Sequence, residues 1–236
     1  MLETLIIGSG YLGSFIKSKF KSVQSSSLEN TADFYFSLEL SPFDELPPAK
    51  TLIITCSTEM MGDRAKAFAQ FSQENFNQII LISTASLFQV SHADEVIDEN
   101  APLISSHPRV ISEGYFEKFA TILHCGLLWD ETLRTPRKWL NRIKNGQKYV
   151  NFCKSDLVAE VCFHITHLEG SLRGHFLCAD NHAKRWNEIA KSYSIKLDNK
   201  ETGTESKILN SKKLQLSLKS KIDWSSFVYC IKKEPL

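Results

Sequence analysis

The chain has 236 residues, 42% of them hydrophobic, enough for one complete core or one core with a small appended lobe. Twenty-eight Lys and Arg against 27 Asp and Glu leave a formal charge of +1. That balance excludes both the cationic field of a dedicated nucleic-acid binder and the composition of an acidic disordered chain. No apolar run approaches the roughly 20 residues that span a bilayer, and the Met1 segment enters a Gly-rich motif without a basic leader, so no membrane partner is expected and the cytoplasm is the expected address. Six cysteines lie far apart with no C-x-x-C pair, which points to reduced, mostly buried thiols.

Residues 3–8 form a short apolar run that breaks at glycine, as a strand buried on both faces of a parallel sheet does. From Tyr11 the apolar positions Leu12, Phe15, Ile16 and Phe20 recur at helical spacing, with Lys17, Lys19 and Lys21 mainly on the other face. A Ser/Asn-rich stretch then leads to 34–38, whose aromatic content predicts the second strand. Further strands are predicted at 51–56, 78–83 and 121–126, with helices at 63–76 and 112–119 between them. A helix starting at Pro136, a strand at 149–152, a helix over 155–168, a strand at 174–178 and a helix over 183–193 follow. The alternation is that of an α/β fold, a Rossmann-type doubly wound parallel sheet with a small C-terminal α/β lobe. The expected division is a dinucleotide-binding domain over 1–128 and a smaller substrate-cleft lobe over 129–236, interleaved with the last sheet strands. The seven lysines between Lys207 and Lys233, against the single acid Asp223, read as a solvated face, because Trp224, Phe227 and Tyr229 cluster instead of interleaving with them.

Gly8-Ser9-Gly10-Tyr11-Leu12-Gly13 is G-x-G-x-x-G placed directly after a buried strand and directly opening an amphipathic helix. The first glycine permits the turn, the second lets backbone approach a diphosphate, and the third allows close packing of helix on sheet. Backbone N–H groups at the helix start favour the anion. The expected cofactor is therefore NAD or NADP, held by Gly8, Gly10, Tyr11, Leu12 and Gly13, with Cys56, Ser57 and Ser83 at the following strand ends. The ribose-binding acid stands about 20 residues beyond such a motif, near Asp33, but Glu39 follows the aromatic strand and is the better candidate for the 2′-hydroxyl. Between Val23 and Ala49 there are five acids and no Lys or Arg, which favours NAD over NADP.

With these elements placed, the chain resembles the extended short-chain dehydrogenase/reductase superfamily, in its NAD-dependent epimerase/dehydratase group, and more closely the atypical bacterial members whose loop reads Gly-x-Gly-Tyr-Leu-Gly. Residues Leu81-Ile82-Ser83-Thr84-Ala85-Ser86-Leu87-Phe88 are similar to that family's strand ending in Ser-Ser/Thr-x-x-Val-Tyr, which implies that Thr84 carries the catalytic hydroxyl. The segment from Ile122 to Trp129 resembles the Leu-Arg-x-x-x-x-Tyr-Gly stretch beside the nicotinamide ring. Tyr149-Val150-Asn151-Phe152 with Ser155-Asp156-Leu157-Val158 resembles a later strand and helix of the family.

The family's proton exchange uses Tyr-x-x-x-Lys, the lysine lowering the tyrosine pKa. Here the sequence departs. If Glu117 takes the place of the glutamate that follows the family's tyrosine by eight positions, Arg109 stands at the tyrosine position and Glu113 at the lysine position. A guanidinium releases no proton at working pH, so neither residue can replace its counterpart. Tyr115 and Lys118 offer a substitute pair, one residue short in spacing and so about 100° further round the helix; the alternative is a packed aromatic beside a solvated lysine. Candidate catalytic residues are thus Thr84, Tyr115 and Lys118. His164 and His167 with Glu160 have ligand-like spacing, but no further ligand set accompanies them and no metal is expected. Two functions follow from the resemblance: hydride transfer on a sugar-nucleotide or small carbonyl substrate with a nonstandard acid, or a non-catalytic dinucleotide-sensing protein that has lost the Tyr/Lys pair. A small-molecule substrate is the expected partner, and a homodimer is compatible with the sequence.

Overall fold

The computed structural model describes residues 2–28, 32–168 and 170–230. In chain order the first half comprises β1 (Leu2–Ile7), α1 (Tyr11–Lys17), β2 (Val23–Ser27), β3 (Phe34–Tyr35), β4 (Ala49–Ile54), α2 (Arg64–Asn75), β5 (Gln78–Thr84), β6 (Glu95–Ile97), α3 (Pro108–Gly114) and β7 (Thr121–Cys125). The second half adds β8 (Leu127–Trp129), α4 (Pro136–Leu140), β9 (Tyr149–Val150), β10 (Phe152–Lys154), α5 (Ser155–Thr166), β11 (Gly174–Cys178), β12 (Lys184–Arg185), α6 (Trp186–Ser192), β13 (Lys207–Leu209) and α7 (Lys212–Ser217).

Seven of these strands form one sheet in the order β11-β7-β5-β4-β1-β2-β3, all neighbours parallel. The fold is thus a Rossmann-type doubly wound sheet, whose direction of winding reverses between β1 and β4. Its central strands read as continuous apolar runs because both faces are covered. Ile6, Ile53, Ile80, Ile82 and Leu123 point to a core shared with Leu12 and Ile16 of α1 and Val158, Val161 and Ile165 of α5. Their neighbours Leu5, Ile7, Leu52, Ile54, Ile79, Leu81 and Ile122 point the other way, onto Ala65 and Phe68 of α2 and onto Phe116. Beyond residue 128 both α5 and β11 return to this sheet. A separate small core of Trp129, Leu140, Val150, Phe152, Trp186, Ile189 and Tyr229 lies outside it, between α4, α6 and the short strands β8, β9 and β10.

The second strand differs from the sequence expectation. It is the serine-rich Val23–Ser27, and the aromatic segment contributes only Phe34–Tyr35 at the sheet edge. Ser25 and Ser26 are buried, and the Ser26 carbonyl accepts from the N–H groups of Gly8 and Ser9, so this strand anchors the glycine loop. Small hydroxyl side chains, which carry no hydrophobic periodicity, concealed it. The helix expected over 112–119 instead occupies Pro108–Gly114, begun by Pro108 after the His107 side chain accepts from the Arg109 N–H.

Candidate active site

The carboxyl ends of β1, β4, β5 and β7 open into one cleft of about 1090 Å³, lined further by Lys148, Asn151, Trp186 and Lys207. In an open parallel sheet this is where ligands bind, beside the reversal of strand order.

At its mouth lies the glycine loop. Gly8 has φ +99°, the left-handed region, and its carbonyl accepts from the Thr55 hydroxyl at 2.7 Å. A Cβ on Gly13 would stand 1.9 Å from the Gly8 carbonyl oxygen, so only glycine lets α1 sit this close to the end of β1. Gly10 is different: it lines the cleft, and a Cβ there would meet nothing within 4 Å. Its bareness serves no protein contact, and leaves a cradle that a side chain would fill.

Tyr11 and Leu12 also line the cleft. The Tyr11 hydroxyl donates to Asp130 Oδ2 at 2.5 Å and accepts from the Ser155 hydroxyl at 2.7 Å, while the Arg134 guanidinium lies 3.9 Å over its ring. Burial and the adjacent carboxylate push the Tyr11 phenol far above its ordinary range, so it acts here as a hydrogen-bond donor. Asp130 also accepts from the backbone of Thr132, Leu133 and Arg134, and these bonds with that from Tyr11 outweigh its desolvation and hold it well below the usual carboxylate range. The 130–134 loop is thereby clipped to α1 and to α5. No sequence signal pairs Tyr11 with Asp130, which lies 119 positions away.

Thr84, at the end of β5, lines the cleft; its Oγ1 accepts from the Ser86 N–H and lies 3.0 Å from the Ser86 hydroxyl. Ser83 and Cys56 line it too. Desolvation raises the Cys56 thiol to about 11, which disfavours the thiolate. Ser57, by contrast, is outside the lining and accepts from the Glu59 N–H.

The structure does not bring Tyr115 and Lys118 to this site. Tyr115 caps the C-terminus of α3 with 42% of its surface exposed, Lys118 is exposed, and neither lines the cleft. Because α3 begins four residues earlier than expected, Arg109 and Glu113 occupy the turns that face β5. Arg109 lines the cleft, its Nε donating to Glu113 Oε1 at 2.7 Å and its Nη2 to the Ile82 carbonyl at 2.7 Å. Glu113 is buried and its Oε2 accepts from the Ser83 hydroxyl at 2.8 Å. Desolvation raises the Glu113 pKa against the opposing pull of the Arg109 cation.

Glu39 is likewise displaced. It is exposed and does not line the cleft, since the strand beside β1 is Val23–Ser27 and not the aromatic segment. The end of that strand leads to 29–31, outside the described residues. Asp33 takes a structural part, accepting from Lys17 and from the Ser25 N–H, both at 2.7 Å.

Behind the cleft, His124 is fully buried, with Nδ1 3.3 Å from the Thr84 carbonyl and Nε2 2.8 Å from His175 Nδ1. Burial pushes its pKa down to about 3, so it is neutral at ordinary pH. The sulfur atoms of Cys125, Cys153 and Cys178 lie within 4.8 Å of one another in the core beside it, and all the cysteines are free thiols, Cys56 half-buried and Cys230 exposed. His164 lies 3.7 Å from Glu160, which also takes the Lys19 ammonium at 2.5 Å, an arrangement of surface ion pairs. No helix among the described residues is long and apolar enough to cross a membrane.

No protein-family model and no curated protein matches the sequence. Solved structures do match in fold. The Bordetella bronchiseptica enzyme WbmG, in complex with NAD and UDP, superposes with a TM-score of 0.72 at 11% identity over 91% of this chain and 87% of that one. UDP-N-acetylglucosamine 4-epimerase from Bacillus cereus gives 0.67 at 14% over 94% of each chain. The dTDP-glucose 4,6-dehydratase from Bacillus anthracis, in complex with NAD, gives 0.66 at 10% over 93% and 91%. The chain shares the fold of these enzymes.

Proposed function

We propose that this protein is a nicotinamide-dinucleotide-binding member of the epimerase/dehydratase group, with NAD favoured over NADP, and that its cleft takes a sugar-nucleotide or small carbonyl substrate beyond the cofactor. The observation that carries this reading is Gly10. In a loop where Gly8 and Gly13 are each required by the fold, Gly10 lines the cleft and has open space where a side chain would stand. A diphosphate fits such a cradle, where backbone N–H groups are unshielded. The likeness to folds solved with NAD and with UDP supports the same assignment.

In this reading Gly8, Gly10, Tyr11 and Leu12 hold the diphosphate end, with Gly13 closing the helix onto the strand behind it. Cys56 and Ser83 line the middle of the groove and Thr84 faces the substrate. When bound, the nicotinamide supplies a hydride acceptor or donor. The Tyr11–Asp130–Ser155 bonds keep the 130–134 loop closed on the groove. Thr84 positions a substrate hydroxyl or carbonyl, and Arg109 offers a fixed positive charge where the group's proton-exchanging tyrosine would stand. A cytoplasmic homodimer is part of the same reading.

One feature favours a second reading. The resemblance puts Arg109 and Glu113 at the positions of the Tyr/Lys pair, and Tyr115 does not line the cleft. A dinucleotide-binding sensor without turnover has no need of a proton-exchanging phenol. Calorimetry with NAD+, NADH and NADPH, followed by absorbance assays of hydride transfer with a panel of nucleotide sugars, separates the two. Binding with turnover supports the enzyme, binding without turnover the sensor, and no heat with any of these dinucleotides refutes both.

A further inference from the structure

Arg109 is a cation held rigidly in the wall of the cleft. Two of its edges are fixed, Nε by Glu113 and Nη2 by the Ile82 carbonyl, and among the described residues no acceptor meets Nη1. Glu113 cannot swing away, since it is buried and its second oxygen is bound to Ser83. The guanidinium is therefore preorganised, with its rotamer entropy already spent, beside the Ser83-Thr84 end of β5. A charge so placed, with donors left over, is a site for an anion.

We propose that Arg109 binds a carboxylate borne by the substrate at its reacting end, with the Thr84 and Ser86 hydroxyls beside it. Glu113 already takes one edge of the guanidinium, and the single free end left suits a monoanionic carboxylate better than a phosphate dianion. The planar carboxylate also matches the free end of the guanidinium fork. This inference rests on the proposed function for the place of the reacting end, and not for the anion itself.

The test uses two matched pairs of probes, UDP-glucuronate against UDP-glucose and free glucuronate against free glucose. Each is titrated by calorimetry, with saturation-transfer NMR for the free sugars, on the full chain with and without NAD+. The acid of each pair is expected to bind about 10- to 100-fold more tightly than its neutral partner, as one or two charge-assisted hydrogen bonds imply. The preference is expected to vanish in R109Q/E113Q, which removes the buried charge pair together, and to shrink in R109K, with near-ultraviolet circular dichroism unchanged. Equal binding of acid and neutral probes, no binding of either acid, or a preference that survives in R109Q/E113Q would overturn the proposal. If that variant does not fold, an undiminished preference in R109K overturns it. Absence of NAD+ binding with the acid preference intact would refute the dinucleotide reading and leave this one standing.

Discussion

Alanine at Gly10 and at Gly13 should have opposite consequences, and the pair tests the glycine loop without a substrate. At Gly13 the new Cβ falls 1.9 Å from the Gly8 carbonyl oxygen, about 1.5 Å inside the 3.4 Å where ordinary contact begins. Both atoms belong to the frame, one to a helix and one to a strand end, so α1 must lift from the sheet and from its packing on α5. Overpacking of that kind costs on the order of 3 kcal/mol. For a domain of this size that is a fall of roughly 6–12 °C in Tm. At Gly10 the backbone has φ −62° and ψ −162°, an extended conformation open to alanine, and the Cβ meets no protein atom within 4 Å. Stability should therefore change by less than about 0.5 kcal/mol. The methyl group would nevertheless stand where a diphosphate oxygen must reach backbone N–H groups. Loss of one or two such charge-assisted bonds weakens NAD+ about 10- to 100-fold. Urea denaturation and calorimetry on G10A, G13A and the parent protein supply both readings. NAD+ binding by G10A as tight as by the parent would refute the placement of the cofactor. A G10A variant as unstable as G13A would refute the open space on which that placement rests.

Changes around the β5 end give further tests. T84A should lower any turnover of nucleotide sugars about 10-fold or more while Y115F leaves it unchanged, because only Thr84 reaches the cleft; equal losses in steady-state assays would restore Tyr115 to the site. E113A leaves the cleft-lining Arg109 cation and the Ser83 hydroxyl without their carboxylate partner and should cost about 1–3 kcal/mol in urea denaturation, whereas E113Q should cost less. His124 has its folded pKa depressed to about 3, so its contribution to stability is complete above its unfolded value near 6.5. Between those values the unfolded chain binds a proton that the native state refuses. Stability should fall on acidification by up to about 1.4 kcal/mol per pH unit, a slope that H124Q should reduce; an unchanged slope would show that His124 is protonated in the native state. In native protein an aromatic disulfide reagent should react fast with Cys230, slowly with Cys56, and with the other four thiols only on unfolding.

Those parts of the fold whose causes are local were legible in the order of residues. The apolar runs at 52–54 and 79–82 read as buried strands because each residue faces one of two covered sides. The spacing of Gly8, Gly10 and Gly13 read as a tight strand-to-helix turn because the close approach of Gly13 to Gly8 lies within six residues. Where identity depended on partners far along the chain, the sequence was silent or misleading. Val23–Ser27 has no hydrophobic pattern and is a strand because β1 and β3 flank it, and Glu39 is left exposed away from the cleft. Tyr115 and Lys118 looked like a displaced acid pair, yet the start of α3 turns Arg109 to the cleft and buries Glu113 against Ser83 instead. Long-range packing alone fixes Arg109 on the Ile82 carbonyl at the end of β5 and ties Tyr11 to Asp130 and Ser155. Those contacts join residues 27 to 144 positions apart, and their register is set by the packing of helices on a sheet, a property of the whole chain that no local window of it contains.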